Sequence, residues 1–599
     1  MPMMRTAAVA WALSLALTAG ALAQSAAPDA VIQSPPREPQ AVSAQAGSAA
    51  AAAPATAASP AADTAPVDAA ATLADTPTTA PDSPVQQQAG SQEQPTSPPQ
   101  GTEALATAIR LAFESAGTSN NTPPLPKSAI ETEQRLALEA YYRANSFAPL
   151  WMGEAGPTPK AHALAAAIAD AAAYGLDPGL IPVPDLNDAN ATDLAERAKL
   201  EISLSMAALT YARHARGGRI PEPAEMLNSN LDRKPQLHDT KVVMQKLALA
   251  SETDIAAALA ALQPVHPQFE LLRQAFLKET GGDGRGKLSA TAKRLRANME
   301  FWRWMWDDLG ELYVFNNIPE FMQRVVLNGE VVRSDRIVVG ETGKQSSVFS
   351  RPLKEVVLRP RWRVPESIMV HELWPSLRKG GGLMRAYGLE ITTKNGDQPR
   401  DWRNIDWRQD DIRNYHVWQP PGGKSVLGFV KFSFPSQHTI FMHDTPDKWM
   451  FNRGQRTLSH GCLRVRNPME LTEIVLRYDR GWDEAKIKQL IRSGPLDNNV
   501  EMQKHIPIHL AYFTAWADKA GKVRFFNDVY GHEKRVTQAL DGDWAKINKG
   551  RDHLAKPQPR FKRNEVAAGE GGLVPAASNG RRTKKPASVA DMISNALGF

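Results

Sequence analysis

From Lys127 to about Thr280 apolar residues, mostly Ala and Leu, recur every three or four positions, with Gly and Pro between the runs. That spacing lines one face of a helix, so the segment is predicted to be helical throughout. Thr158 followed by Pro159 reads as an N-cap with proline at the first helical position, and Gly175 reads as the stop. Tyr141, Tyr142 and Trp151 are assigned to packing between these helices. A further helix carrying Trp302, Trp304 and Trp306 is expected to pack on whatever follows.

At Leu312 the period changes to two. Phe321 to Leu327 and Val331 to Val339 alternate about Asn328-Gly329, the dipeptide that best suits a two-residue hairpin turn. Short β-rich runs follow at Val356-Val357, Val430 to Phe434, Thr439 to Met442, Ile506 to Trp516 and Val523 to Phe526. A helix is expected from Asn467 as N-cap, with Pro468 first and Glu470 in the capping-box position, running towards Tyr478. The fold class is therefore α+β, a helical N-terminal domain followed by a β-rich domain. Between Trp362 and Lys424 lies a polar stretch rich in Trp and Arg with little periodicity, and a connection this long in a compact domain is expected to be a lid. Gly281, Gly286 and Lys287 imitate a phosphate-binding loop, but Leu288 stands where Ser or Thr must hold the metal and no strand precedes it; the segment reads as a hinge.

Composition alters this picture at both ends. Gln24 to Gly101 is rich in Ala and Pro and has no Phe, Trp or Tyr, so it cannot bury enough surface to offset chain entropy. Met1 to Ala23 has one cation at Arg5, an apolar run and Ala21-Leu22-Ala23, the order of a secretory leader cut after Ala23. The mature chain is thus expected outside the cytoplasmic membrane, in the periplasm, with no membrane-spanning segment. The resulting organisation is 1–23 signal peptide, 24–126 disordered tether, 127–308 helical domain, 309–500 β-rich domain with its lid at about 362–424, 501–555 a C-terminal segment packing on the core, and 556–599 a basic disordered tail. The formal net charge of +6 is modest for 599 residues, and no nucleic-acid partner is expected.

A single cysteine excludes a disulfide framework and a cysteine-rich zinc site, and neither metal nor cofactor is expected. In an oxidising compartment a lone thiol is either buried and inert or reactive. Cys462 lies in Ser459-His460-Gly461-Cys462-Leu463-Arg464-Val465, just before the capped helix, and His443 follows a β-run nineteen residues upstream. A thiol needs a histidine base or an electropositive setting to react. His460 is two residues away on the same extended segment and has little freedom to meet the sulfur. His443 comes from a separate strand, and is preferred as base, with His460 as a wall or hydrogen-bond partner. Gly461 lets the chain turn closely, so the amides of Gly461 and Cys462 are candidates to face an oxyanion. Arg464 offers a planar fork to a carboxylate, or a salt bridge that holds the motif.

These residues, Ser459-His460-Gly461-Cys462-Leu463-Arg464 with His443-Asp444-Thr445-Pro446, resemble the L,D-transpeptidase catalytic domain of YkuD type, in its large periplasmic multidomain branch. The resemblance extends to Asn298-Met299-Glu300, Pro360-Arg361-Trp362-Arg363-Val364-Pro365, Leu427-Gly428-Phe429-Val430-Lys431-Phe432 and Tyr512-Phe513-Thr514-Ala515-Trp516, covering about Lys127 to Leu540. Two departures stand out: no peptidoglycan-binding module sits between the domains, and Lys424-Ser425 replace an expected Asn-Ala pair. The resemblance implies a cysteine acyltransferase acting on peptidoglycan stem peptides, with a thioester on Cys462, His443 as base and 3→3 cross-links as product. It also implies Ser459, His460, Arg464 and Trp362 on the substrate side, and acylation by carbapenems. The same chemistry would serve a hydrolase, or attachment of an outer-membrane or other cell-wall protein to the stem. A wall-binding protein with an inert thiol is the alternative outside enzymology.

Overall fold

The computed structural model describes residues 100–115, 129–187 and 193–559. The expected leader, the tether as far as 99 and the tail from 560 lie outside them.

Helices Ala129–Ala144, Pro159–Ala169, Leu194–Ala215 and Thr240–Leu249 bury one core of Leu138, Tyr142, Trp151, Ile202, Leu204 and their neighbours. Thr158 caps its helix through Ala161 N–H at 3.2 Å, and Gly175 closes the following turn at φ 70°. Buried Glu201 binds this core together: its carboxylate accepts the amides of Leu150, Trp151 and Met152 at 2.7, 2.9 and 2.9 Å and the Tyr142 hydroxyl. One expectation is corrected here. Gln100–Glu114 is a helix, not tether, because Leu105, Ile109 and Phe113 recur at helical spacing and are buried against the scaffold. Helices Pro267–Glu279 and Ala290–Arg303 pack on the β-rich core through Phe269, Phe276, Leu295 and Trp302, as expected for the helix carrying Trp302. The Gly281 to Lys287 segment is the turn between those two helices. Gly284 lies so close to the Ala172 carbonyl that a Cβ would collide with it, and Arg285 donates to the Ala169 carbonyl at 2.8 Å.

The β-rich domain is one sheet that curls on itself. Its strand order is Asn498–Glu501, Glu355–Leu358, Val430–Ser433, Met442–His443, Leu463–Val465, Glu330–Gly340, Met322–Leu327, Leu312–Asn317, Pro507–Ala511 and Phe349–Pro352, with Thr457–Ser459 pairing off Glu330–Gly340. The predicted hairpin forms at Asn328-Gly329, with φ of 52° and 79° at its two turn residues. Helix Pro468–Arg480 starts after Asn467 as expected, but Glu470 accepts from Arg333 Nε at 3.0 Å, so no capping box forms.

The stretch from Trp362 is no loop. Glu390–Thr393, Pro399–Arg400, Tyr415–Gln419 and Trp362–Arg363 form a separate four-stranded sheet, with short helices and a core of its own around Trp374, Trp402 and Trp407. A few large aromatics supply that core, which is why no apolar period shows in the sequence.

Candidate active site

Strand Met442–His443 runs parallel to Leu463–Val465, with Met442 opposite Leu463 and His443 opposite Arg464. Met442 and Leu463 are fully buried in the core. Side chains alternate along extended chain, so Cys462, His443 and Arg464 turn to the other face together. That face lines a cavity of about 610 Å³.

His443 is fixed by its neighbour. Its Nδ1 lies 2.5 Å from the Asp444 carbonyl, which can only accept, so Nδ1 carries the proton and Nε2 keeps its lone pair. Asp444 is itself braced by Phe429 N–H at 3.2 Å and Lys448 Nζ at 2.6 Å. Gly428, at φ 60°, passes so close to the Asp444 carboxylate that any side chain would collide with it. Burial, with the cations Arg464, Lys431 and Lys448 adding to it, pulls the His443 imidazole down to about 3. Burial pushes the half-buried Cys462 thiol up to about 11, opposed by the Phe441 amide and the charges of Lys431 and Arg464. Both shifts run towards the uncharged forms, thiol and neutral imidazole, because burial penalises charge on either group.

Thr439, a β-branched residue at φ 53°, carries the carbonyl that Cys462 Sγ faces at 3.9 Å. Such a backbone conformation costs on the order of 1–3 kcal/mol and is held here beside the sulfur. Nothing in the sequence announced it, since Thr439 reads as an ordinary strand residue.

The other expected residues fall into two groups. Trp362 lines the cavity, as does His460, whose Nε2 donates to Glu372 Oε1 of the lid at 2.8 Å. Burial raises the Glu372 carboxyl, but the bonds and charges of His460 and Lys344 outweigh it and hold the group below its usual range. Ser459 and Arg464 line the cavity too, but both also bond within the protein, and Arg464 keeps a buried Nε without a partner among the described residues. Ser459 Oγ donates to the Cys462 carbonyl at 2.6 Å and accepts from Gly461 N–H at 3.2 Å. Arg464 Nη1 binds Asp447 at 2.9 Å and Thr445 at 3.1 Å, the salt-bridge role. Ser459 Oγ takes the Gly461 amide, so of the two candidate amides the one of Cys462 has no hydrogen-bond partner among the described residues. Gly461 sits at φ 115° with its carbonyl accepting Ser346 Oγ at 2.6 Å, and it shapes the turn that presents Cys462. The Lys424-Ser425 departure is absorbed locally: Gln419 Nε2 donates to the Lys424 carbonyl at 3.1 Å, and Ser425 is buried.

Sequence reasoning missed the walls that come from afar. Asn228 and Asn230 of the scaffold, His438, and Arg535, Arg551 and His553 near the end of the chain all line the cavity.

Comparison with known proteins agrees with this geometry. Residues 311–488 match the family model of the L,D-transpeptidase catalytic domain, and residues 136–276 match that of a scaffold domain. The chain carries an L,D-transpeptidase catalytic domain. A Haemophilus influenzae protein provisionally named an L,D-transpeptidase is 28% identical over 263 residues, which cover 44% of this chain and 51% of the relative. The match thus spans about half the length of that relative. The matched residues include Cys462, His443 and the four-stranded sheet that begins at Trp362. No described helix is long and apolar enough to cross a membrane.

Proposed function

We propose that this protein is a periplasmic peptidoglycan L,D-transpeptidase that forms 3→3 cross-links through a thioester on Cys462. The observation that carries the reading is that the sole thiol and His443 line the same cavity from adjacent parallel strands, with His443 Nδ1–H tied to the Asp444 carbonyl so that Nε2 remains the basic nitrogen. Cys462 Sγ attacks the carbonyl joining the third residue of a donor stem tetrapeptide to its terminal D-Ala. His443 Nε2 takes the thiol proton and delivers it to the departing D-Ala amine, and the Cys462 amide faces the oxyanion. An amine on the third residue of a second stem then attacks the thioester, losing its proton to His443, and the thiol is restored. The lid, tied to the motif by Glu372 to His460, shields the thioester from water.

Intact-mass measurement tests this. Incubation with a stem tetrapeptide is expected to add the mass of the tetrapeptide less that of D-Ala, located on the Cys462 peptide, and a carbapenem is expected to add its full mass. Cys462→Ala should show neither adduct while keeping its fold. An adduct on the Cys462→Ala protein, or none on folded wild type, would remove the mechanism.

A further inference from the structure

The end of the described chain does more than pack on the core. Residues 548–559 run across the mouth of the cavity as a strap, with Gly550, Arg551, His553, Ala555 and Pro557 facing into it. The strap is pinned from three sides. Asn228 Nδ2 of the scaffold donates to the Lys549 carbonyl at 2.6 Å, and Arg535 Nε donates to the Asn548 carbonyl at 2.7 Å. At its far end the Gln558 carbonyl accepts from His371 of the lid at 3.1 Å.

Its centre is held by a chain of polar groups with one consistent set of protons. His438 Nε2 donates to Asp232 Oδ2 at 2.9 Å. Ser347 gives its proton to Asn230 at 2.9 Å, so it can only accept from His553 Nε2, which lies 3.3 Å from it and 2.7 Å from His438 Nδ1. His553 Nδ1 then accepts from Ser229 Oγ at 3.0 Å. Scaffold, catalytic sheet and strap are thus joined at one place beside the cavity.

The charge on the wall is one-sided. Among the described residues it holds Lys344, Arg464, Arg535 and Arg551, and no Asp or Glu. Lys344 is engaged by Glu372 at 2.8 Å, and Arg464 is held through Nη1 by Asp447 at 2.9 Å, with only its buried Nε lacking a partner among the described residues. Arg535 spends donors on backbone carbonyls. Arg551 is exposed and makes no ion pair or hydrogen bond among the described residues. A guanidinium held on a braced strap, facing the reacting thiol's own cavity and lacking a partner, is a receptor for a planar anion.

We infer that Arg551 is a specificity-determining residue that binds a carboxylate of the peptide substrate, with the strap as the element that positions it. This rests on the transpeptidase reading above and adds to it the residue that reads the substrate's charge. Stem peptides carry several carboxylates, and the test identifies which one is bound.

Thioester formation is measured for wild type, Arg551→Ala and Arg551→Lys in the full chain, using a tetrapeptide and a set of analogues each with one carboxylate converted to carboxamide. Arg551→Ala is expected to lower kcat/KM about 10- to 100-fold, mainly through KM, with Arg551→Lys between it and wild type. One amidated analogue should lose the same factor on wild type and nothing further on Arg551→Ala. Alkylation of Cys462 by iodoacetamide, a small neutral probe, should proceed at the wild-type rate in both variants, showing that the site is intact. If Arg551→Ala stays within about twofold of wild type on every peptide, or if every amidation costs the variant as much as it costs wild type, the assignment to Arg551 falls while the transpeptidase reading stands. Wild type that forms no thioester with any peptide overturns both.

Discussion

His443 is oriented by a backbone carbonyl, not by a carboxylate, and this sets what each partner can do. A carbonyl fixes the tautomer without adding a full negative charge, so burial and three nearby cations keep the imidazole neutral. With burial pushing the Cys462 thiol up to about 11, little thiolate forms at rest, and in the proposed mechanism proton transfer to His443 accompanies attack on the substrate. His443→Ala is therefore expected to slow acylation by about 10²–10⁴-fold at pH 7. The deficit should shrink as pH rises towards 11, where solvent alone ionises the sulfur. Stopped-flow acylation by a carbapenem across that range measures it; a variant that stays uniformly slow at all pH values would show that His443 positions the substrate and does not remove a proton. His460, expected as a wall or hydrogen-bond partner, bonds to Glu372, which lies 88 residues away and was not legible in the sequence.

Among the elements, the helix Gln100–Glu114 shows how composition misleads. Its surroundings are Ala- and Pro-rich, yet Leu105, Ile109 and Phe113 are spaced four apart and lie on the scaffold, Phe113 with its ring 5.7 Å from that of Tyr142. Burying three such side chains contributes on the order of 5–8 kcal/mol before entropy is counted. A chain starting at Ala129 is expected to melt at least about 5 °C below one starting at Gln100. Equal melting temperatures in calorimetry would mean that the helix only rests on the surface. The lid failed in the opposite way: its few large aromatics build a core without a repeating period. The hairpin at Asn328-Gly329 was readable because its turn chemistry is local.

Across the whole molecule, buried neutral histidines make folding sensitive to acid. Burial pulls His214, His443 and His509 down to about 3, and His266 and His553 to about 4, against an ordinary value of 6.5. Between those limits the unfolded chain binds protons that the folded chain refuses, so stability falls as pH drops from 6.5 towards 4. These groups are spread over scaffold, catalytic sheet and strap. The melting temperature is expected to fall by on the order of 5–10 °C between pH 7 and 5, and to vary little between pH 7 and 8. Scanning calorimetry over that range checks it, and a flat profile would show that the histidines are charged in the fold.

The helical and β-rich halves, the hairpin and the Cys462 motif with its distant His443 were all legible in the chain, because period, turn chemistry and the spacing of rare residues act over short stretches. Register is what converted that motif into a site: one parallel pairing, with Met442 and Leu463 in the core, turns Cys462 and His443 to the same face. The closure of the cavity could not be read locally. It depends on Asn228 from the scaffold, Glu372 from the lid and Arg551 from the strap meeting around one sulfur, and contacts between residues so far apart exist only once the chain has packed.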